Sequence, residues 1–259
     1  MMSFSSNTLN RDWRYRVYLP ISYLKETNNY YEILYLLHGH GGSEVDWTDY
    51  GSIDKTLDRL CNEGKIREII VVMPDGGNSW YVDGTEKMET AIIQDLIPKV
   101  EKDYRVKAGR ENRSIGGMSA GGYGSLRFIL KYPDLFKNAI LMSPAAYYPV
   151  PDNNSSARTG VASFRTNGVY SDDVWKSYNY DNYWNIFDAA TNKPHNFYLS
   201  VGTSDAFPGI INAVNVQLSN ALSARSNKVS VDIKNYAGGH VMSVWQQAIE
   251  YAVLQIYKK

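Results

Sequence analysis

Ser114-Ile115-Gly116-Gly117-Met118-Ser119-Ala120-Gly121-Gly122-Tyr123 joins a short apolar strand to a helix through a turn of small residues. Within it, Gly117-Met118-Ser119-Ala120-Gly121 has the form G-x-S-x-G. In such a turn the glycines permit a sharp reversal that lifts a serine hydroxyl above the end of a sheet. The residues from about Ala120 to Lys131 have helical composition, so the serine stands between strand and helix, where this mechanism requires it. Ser119 is therefore the candidate nucleophile. The plainer alternative is an ordinary glycine-rich turn, and the flanking sequence has to decide between the two.

Working outward, strands are expected at about Arg14 to Leu19, Tyr31 to Leu37, Ile69 to Met73, Ala139 to Met142, Asn196 to Val201 and Val229 to Ile233. Helical spacing is expected at about Ile53 to Asn62, Glu86 to Tyr104, Ile210 to Ala224 and Met242 to Tyr257. Alternation of strand and helix on this scale implies an α/β fold, a mostly parallel sheet covered by helices on both faces. Residues 1–259 are read as one domain. Between Pro144 and Asp188 the periodicity fails and Tyr, Trp, Asn and Ser take over, which suggests an aromatic-rich, cap-like insertion at about 144–188 rather than a passive connector.

A serine hydroxyl needs a base to take its proton, and only His195 and His240 follow Ser119. His195 opens a strand, at the end of the sheet away from the active face, and is expected to be solvent-exposed. His240 lies in the flexible Ala237-Gly238-Gly239-His240 loop and is the candidate base. Asp205 directly follows a buried strand at its carboxyl end and is the candidate acid. Asp232 alternates with Val229, Val231 and Ile233 and should face away from them. The oxyanion of ester attack needs two N–H donors: the elbow offers that of Ala120, and the loop His38-Gly39-His40-Gly41-Gly42 offers that of His40. His38 and His40 could alternatively suggest a metal, but no further ligands accompany them, so no metal is expected.

Lysine plus arginine and aspartate plus glutamate number 27 each, so no net positive field exists to hold nucleic acid or an anionic membrane. The expected partner is a small-molecule or oligosaccharide ester, with the oligomeric state left open. The lone cysteine, Cys61, falls in an amphipathic helix and reads as a small buried hydrophobe. No apolar run reaches the roughly 20 residues of a membrane span. The first residues carry neither a basic segment nor an apolar core typical of a secretory leader. A full-length chain would be expected in the cytoplasm, and a chain relieved of a leader outside it.

These residues resemble the esterase D superfamily, which includes feruloyl and acetyl esterases, S-formylglutathione hydrolases, siderophore esterases and mycolyltransferases. The resemblance runs from about Arg11 to Tyr257 and is weakest over 144–188. Leu36-Leu37-His38-Gly39-His40-Gly41-Gly42-Ser43 with Asp46-Trp47 looks like the oxyanion loop of the feruloyl branch. Gly116 to Gly122 is similar to that family's elbow, which often has methionine where Ala120 stands, and Trp245 stands five positions beyond His240 as the family pattern implies. Val241-Met242 depart from the pair usually found after the histidine. The resemblance implies an α/β-hydrolase fold, no cofactor, a serine carboxylesterase acting on acyl groups of carbohydrates, and substrate contacts from Trp47, Trp245 and Gly41. Alternatives are an S-formylglutathione hydrolase, an acyltransferase of the same superfamily, and a non-catalytic carbohydrate-binding protein on the same fold.

Overall fold

The computed structural model describes residues 1–190, 194–225 and 227–259. Its strands are β1 (Met2–Ser6), β2 (Arg11–Tyr18), β3 (Glu32–Leu37), β4 (Ile69–Pro74), β5 (Arg113–Met118), β6 (Asn138–Met142), a small hairpin of β7 (Arg165–Thr166) and β8 (Val169–Tyr170), β9 (His195–Ser200) and β10 (Val229–Ile233). The helices are α1 (Asp46–Asp49), α2 (Ile53–Asn62), α3 (Met88–Ala91), α4 (Ile97–Asp103), α5 (Ala120–Lys131), α6 (Ser156–Thr159), α7 (Asp172–Tyr178), α8 (Trp184–Ala189), α9 (Pro208–Asn212), α10 (Ser219–Ser223) and α11 (Met242–Ile256). A π-helical turn joins α3 to α4 and another joins α9 to α10, so the helices expected at about Glu86 to Tyr104 and Ile210 to Ala224 are each present with a widened middle turn.

Eight strands form one sheet in the order β1-β2-β4-β3-β5-β6-β9-β10. From β4 to β10 every pairing is parallel, while β1 and β2 add an antiparallel edge. The period of two in β3 shows why the sheet is covered on both faces. Ile33, Tyr35 and Leu37 enter a core with α3, α4 and α5, whereas Leu34 and Leu36 enter a second core with α2 and α11. Register aligns the strand ends: Leu37 stands opposite Gly117, and Met142 opposite both Met118 and Ser200. The loops carrying His38, Ser119 and Asp205 therefore leave the sheet at one rim. Among the described residues no helix is long and apolar enough to cross a membrane.

The structure adds one strand to the sequence reading and corrects two details of it. Met2–Ser6 is a strand for which the sequence offered no expectation; Phe4 packs against Trp13 and Tyr15 and Ser6 is buried, too weak a pattern to read. The 144–188 stretch does contain elements, but each is only two to seven residues long, below what periodicity reveals. His195 is buried rather than exposed, because β9 lies inside the sheet and Phe187 of α8 covers the imidazole at 4.8 Å between ring centroids. Burial and the nearby Arg110 guanidinium push its pKa down to about 4.

Candidate active site

Ser119 sits between β5 and α5 with φ 53° and ψ −116°, a backbone conformation that is costly for a residue with a side chain. Its surroundings hold it there. The Ser119 N–H donates to the Met142 carbonyl at 2.9 Å, and its own carbonyl accepts from the N–H groups of Tyr123 and Ala145, each at 3.0 Å. A Cβ at Gly121 would lie 2.5 Å from the Leu37 carbonyl oxygen and 2.6 Å from that of His38. Only glycine lets the start of α5 press against the loop after β3. The N–H of Ala120 belongs to the first turn of α5, where helical geometry offers no internal acceptor.

The loop after β3 is a turn closed by the Gly42 N–H donating to the Gly39 carbonyl at 3.2 Å. Gly41 takes φ +77°, the value a type II turn demands at its third residue. A segment after β4 braces this turn from outside. Asn78 Oδ1 accepts from the Gly41 N–H at 2.7 Å, His38 Nε2 accepts from the Gly76 N–H at 2.9 Å, and the Tyr81 hydroxyl donates to the His38 carbonyl at 3.0 Å. His38 therefore carries its proton on Nδ1, which donates to the Gly39 carbonyl at 2.7 Å. Trp80 Nε1 donates to His40 Nδ1 at 3.2 Å, which leaves the His40 proton on Nε2. Burial lowers the pKa of both imidazoles. The backbone N–H groups of His40 and Ala120 are left with no acceptor among the described residues.

Asp205 and His240 come from the loops after β9 and β10, and the two loops are stitched together. The N–H groups of Thr203 and Ser204 donate to the carbonyls of Tyr236 and Gly238, each at 2.8 Å. His240 Nδ1 lies 2.8 Å from Asp205 Oδ2, while Asp205 Oδ1 accepts from the Phe207 N–H at 3.0 Å. The Asp205 side chain has no solvent exposure and that of His240 has 15%. Phe207 and Trp245 meet the imidazole edge to face, both at 5.0 Å between centroids. Ring orientation is thus set on both sides, and a carboxylate acceptor at Nδ1 leaves Nε2 as the basic nitrogen.

Ser119 and His240 line one cavity of about 360 Å³, together with Gly39, His40 and Trp245. Two larger surface hollows, of about 640 and 540 Å³, include neither Ser119 nor His240. Trp47 does not reach the cavity. It is buried in the core beneath α2 and α11, and its Nε1 donates to the Leu37 carbonyl at 3.0 Å, so it fixes the strand end instead of meeting substrate. Gly41 is likewise absent from the walls, its N–H being committed to Asn78. Asp232 accepts from the Tyr251 hydroxyl at 2.7 Å on the α11 face. Cys61 is half-buried, and burial pushes its thiol up to about 11, which leaves little thiolate for chemistry. Among the described residues no three histidine, cysteine, aspartate or glutamate side chains gather as a metal ion would require.

Sequence reasoning missed several wall residues: Trp80, Phe207 and Ser156 among them. Trp80 and Tyr81 both take positive φ, 54° and 60°, a conformation that nothing in Asn78-Ser79-Trp80-Tyr81 announces. Tyr147 and Ser156 arrive from the 144–188 insertion, whose chain path no local pattern reveals.

The fold is of the α/β-hydrolase type, and its loops bring Ser119, His240 and Asp205 to one rim of the sheet. A family profile described as "Putative esterase" matches residues 6–256, and the chain belongs to that family. Over 157 residues it is 32% identical to an endo-1,4-beta-xylanase/feruloyl esterase of Xylanibacter ruminicola, a match covering 57% of this chain and 22% of that protein. The chain spans less than half the length of the curated relatives it matches first. A ferulic acid esterase of known structure superposes with a TM-score of 0.79 at 24% identity, covering 99% of this chain and 96% of that one. An S-formylglutathione hydrolase from Staphylococcus aureus superposes with a TM-score of 0.71 at 20% identity, covering 98% and 96%. At such identities the likeness is one of fold.

Proposed function

We propose that the chain hydrolyses carboxylic esters through an acyl-enzyme, with Ser119 as nucleophile, His240 as base and Asp205 as the acid that orients it. The observation that carries this reading is the 2.8 Å contact between His240 Nδ1 and Asp205 Oδ2, set behind a cavity whose wall includes Ser119. His240 Nε2 takes the Ser119 proton as Oγ attacks the ester carbonyl carbon. The resulting oxyanion is held by the N–H groups of His40 and Ala120. Each such donor contributes about 3 kcal/mol to transition-state stabilisation. The imidazolium, stabilised by Asp205, returns the proton to the departing alcohol oxygen. Water then enters by the same route in reverse and releases the acid.

Acyl groups on carbohydrates, acetyl or hydroxycinnamoyl, are the proposed substrates. Support comes from the aromatic walls supplied by Trp80, Tyr147, Phe207 and Trp245, whose faces suit sugar rings and phenolic acids, and from the feruloyl esterase named among the relatives. The 144–188 insertion is proposed to act as a cap on the domain, since Tyr147 and Ser156 contribute to the cavity wall. The test is to screen the purified chain against p-nitrophenyl esters, methyl ferulate, acetylated xylan and S-formylglutathione, with and without acceptor sugars to reveal transfer. A fluorophosphonate probe should label the wild type and spare Ser119→Ala; folded wild type that resists labelling would overturn the reading.

A further inference from the structure

Among the described residues, the cavity lining includes Asp46 and no lysine or arginine. The Asp205 carboxylate lies behind the wall, wholly buried against His240. The remaining ionisable wall groups are the imidazoles of His40 and His240 and the phenol of Tyr147, which burial pushes up to about 12 and so keeps uncharged. The His40 imidazole is neutral, with Nδ1 occupied as an acceptor from Trp80. Asp46 opens α1 and is held in place, its Oδ1 accepting from the Ser43 N–H at 3.2 Å. Gly42 makes room for it, because a Cβ there would lie 2.1 Å from Asp46 Oδ2. Carboxylates thus set the sign of the field in the cavity, and no cation in its wall offsets them.

We propose that Asp46 is a specificity residue that restricts this site to esters without a negative charge and repels the carboxylate that hydrolysis produces. The inference rests on the ester-hydrolase reading above. Deacylation adds water across the acyl–Ser119 bond: hydroxide goes to the acyl carbon, and the proton returns to Ser119 Oγ through His240. The acid so formed releases its own proton to solvent and becomes an anion inside a negative pocket. At a separation of roughly 10 Å, the Coulomb relation at intermediate dielectric makes one such repulsion worth about tenfold in affinity. The transient oxyanion escapes this penalty because two N–H donors contact it directly. A neutral acetyl or feruloyl ester enters freely, its acid leaves readily, and a substrate bearing carboxylates, such as a glutathione thioester, is disfavoured.

The test compares p-nitrophenyl butyrate with the anionic mono-p-nitrophenyl succinate, together with inhibition by butyrate. Wild type should favour the neutral ester, and the preference should shrink as salt rises from about 20 mM to about 500 mM. Asp46→Asn should narrow the kcat/KM ratio about tenfold, remove most of its salt dependence and tighten butyrate inhibition by a similar factor. Asp46→Glu keeps the charge and should keep the discrimination, which guards against a loss of fold in the amide variant. Equal ratios and equal salt dependence in wild type and Asp46→Asn would overturn the inference while leaving ester hydrolysis standing. Failure of wild type to cleave either ester, or cleavage by Ser119→Ala, would overturn the hydrolase reading instead.

Discussion

Gly202 and Gly238 meet backbone to backbone: a Cβ on Gly202 would lie 2.5 Å from the carbonyl oxygens of both Gly238 and Gly239. This contact lets the loop carrying Asp205 dock on the loop carrying His240. Gly202→Ala must push the loops apart by a few tenths of an ångström or more. Misplacement on the ångström scale costs about 10²-fold in rate, and we expect kcat to fall on that order while KM moves less. Steady-state kinetics alongside circular dichroism would check it, and a variant with wild-type kcat would show that the docking is not needed.

Asp205→Asn should leave the fold intact and lower kcat by about 10³ to 10⁴, because an amide no longer stabilises the imidazolium and can impose the wrong tautomer on His240. An unchanged rate would move the orienting acid elsewhere.

Asn78 accepts the Gly41 N–H and so fixes the turn after β3 that is proposed to hold the oxyanion. Asn78→Ala should lower kcat about tenfold, less than the 10² to 10³ of losing a donor outright, since the turn keeps its internal bond. Asn78→Asp retains the acceptor and should recover most of the rate. Equal losses in both variants would argue that Asn78 acts through something other than that bond.

Arg127 on α5 is buried and bonds Glu89 at 2.7 Å, the Tyr178 carbonyl at 2.7 Å and the Tyr81 carbonyl at 3.1 Å. It ties the 144–188 stretch, through Tyr178, to the segment after β4 that braces the turn of Gly39 to Gly42. Arg127→Met leaves Glu89 to Lys131 and Tyr132 and the Tyr178 carbonyl to the Tyr123 hydroxyl, but it strips the Tyr81 carbonyl of its donor and Glu89 of its buried cation, and should cost about 3 kcal/mol in urea unfolding. Glu89→Gln in the same background should recover part of that loss, and strictly additive effects would refute the coupling.

His195 has its pKa lowered to about 4 on folding, first by burial and then by Arg110. The unfolded chain therefore binds more protons below the ordinary histidine value of about 6.5, and this contribution to stability is lost as pH falls from there toward about 4. His195→Phe should flatten the pH dependence of the unfolding free energy in that window by an amount on the order of 1 kcal/mol. Parallel slopes for variant and wild type would show that the imidazole titrates alike in the folded and unfolded states.

The architecture was legible because long elements carry their period openly. α2 was expected over Ile53 to Asn62 and occupies those residues, and the apolar runs of β3, β4 and β6 needed no tertiary information. The insertion was not legible, since helices of four to seven residues display too little period to register. Trp47 shows a related limit. The family resemblance implied a substrate contact, yet a motif does not reveal which way an indole turns, and here it points into the core beneath α2 and α11.

The amino-acid order alone determined the strand-end positions of Ser119, Asp205, His38 and His40, because glycine turns after apolar runs can occur only where a strand ends. Tertiary structure alone decided that Asp205 and His240 share a hydrogen bond, that Asn78 and Trp80 brace the turn after β3, and that Asp46 lines the same cavity as Ser119. Those relations depend on strand order and on backbone angles such as the positive φ of Trp80 and Tyr81. Such angles are imposed by long-range packing, and the residues that adopt them carry no local mark of it.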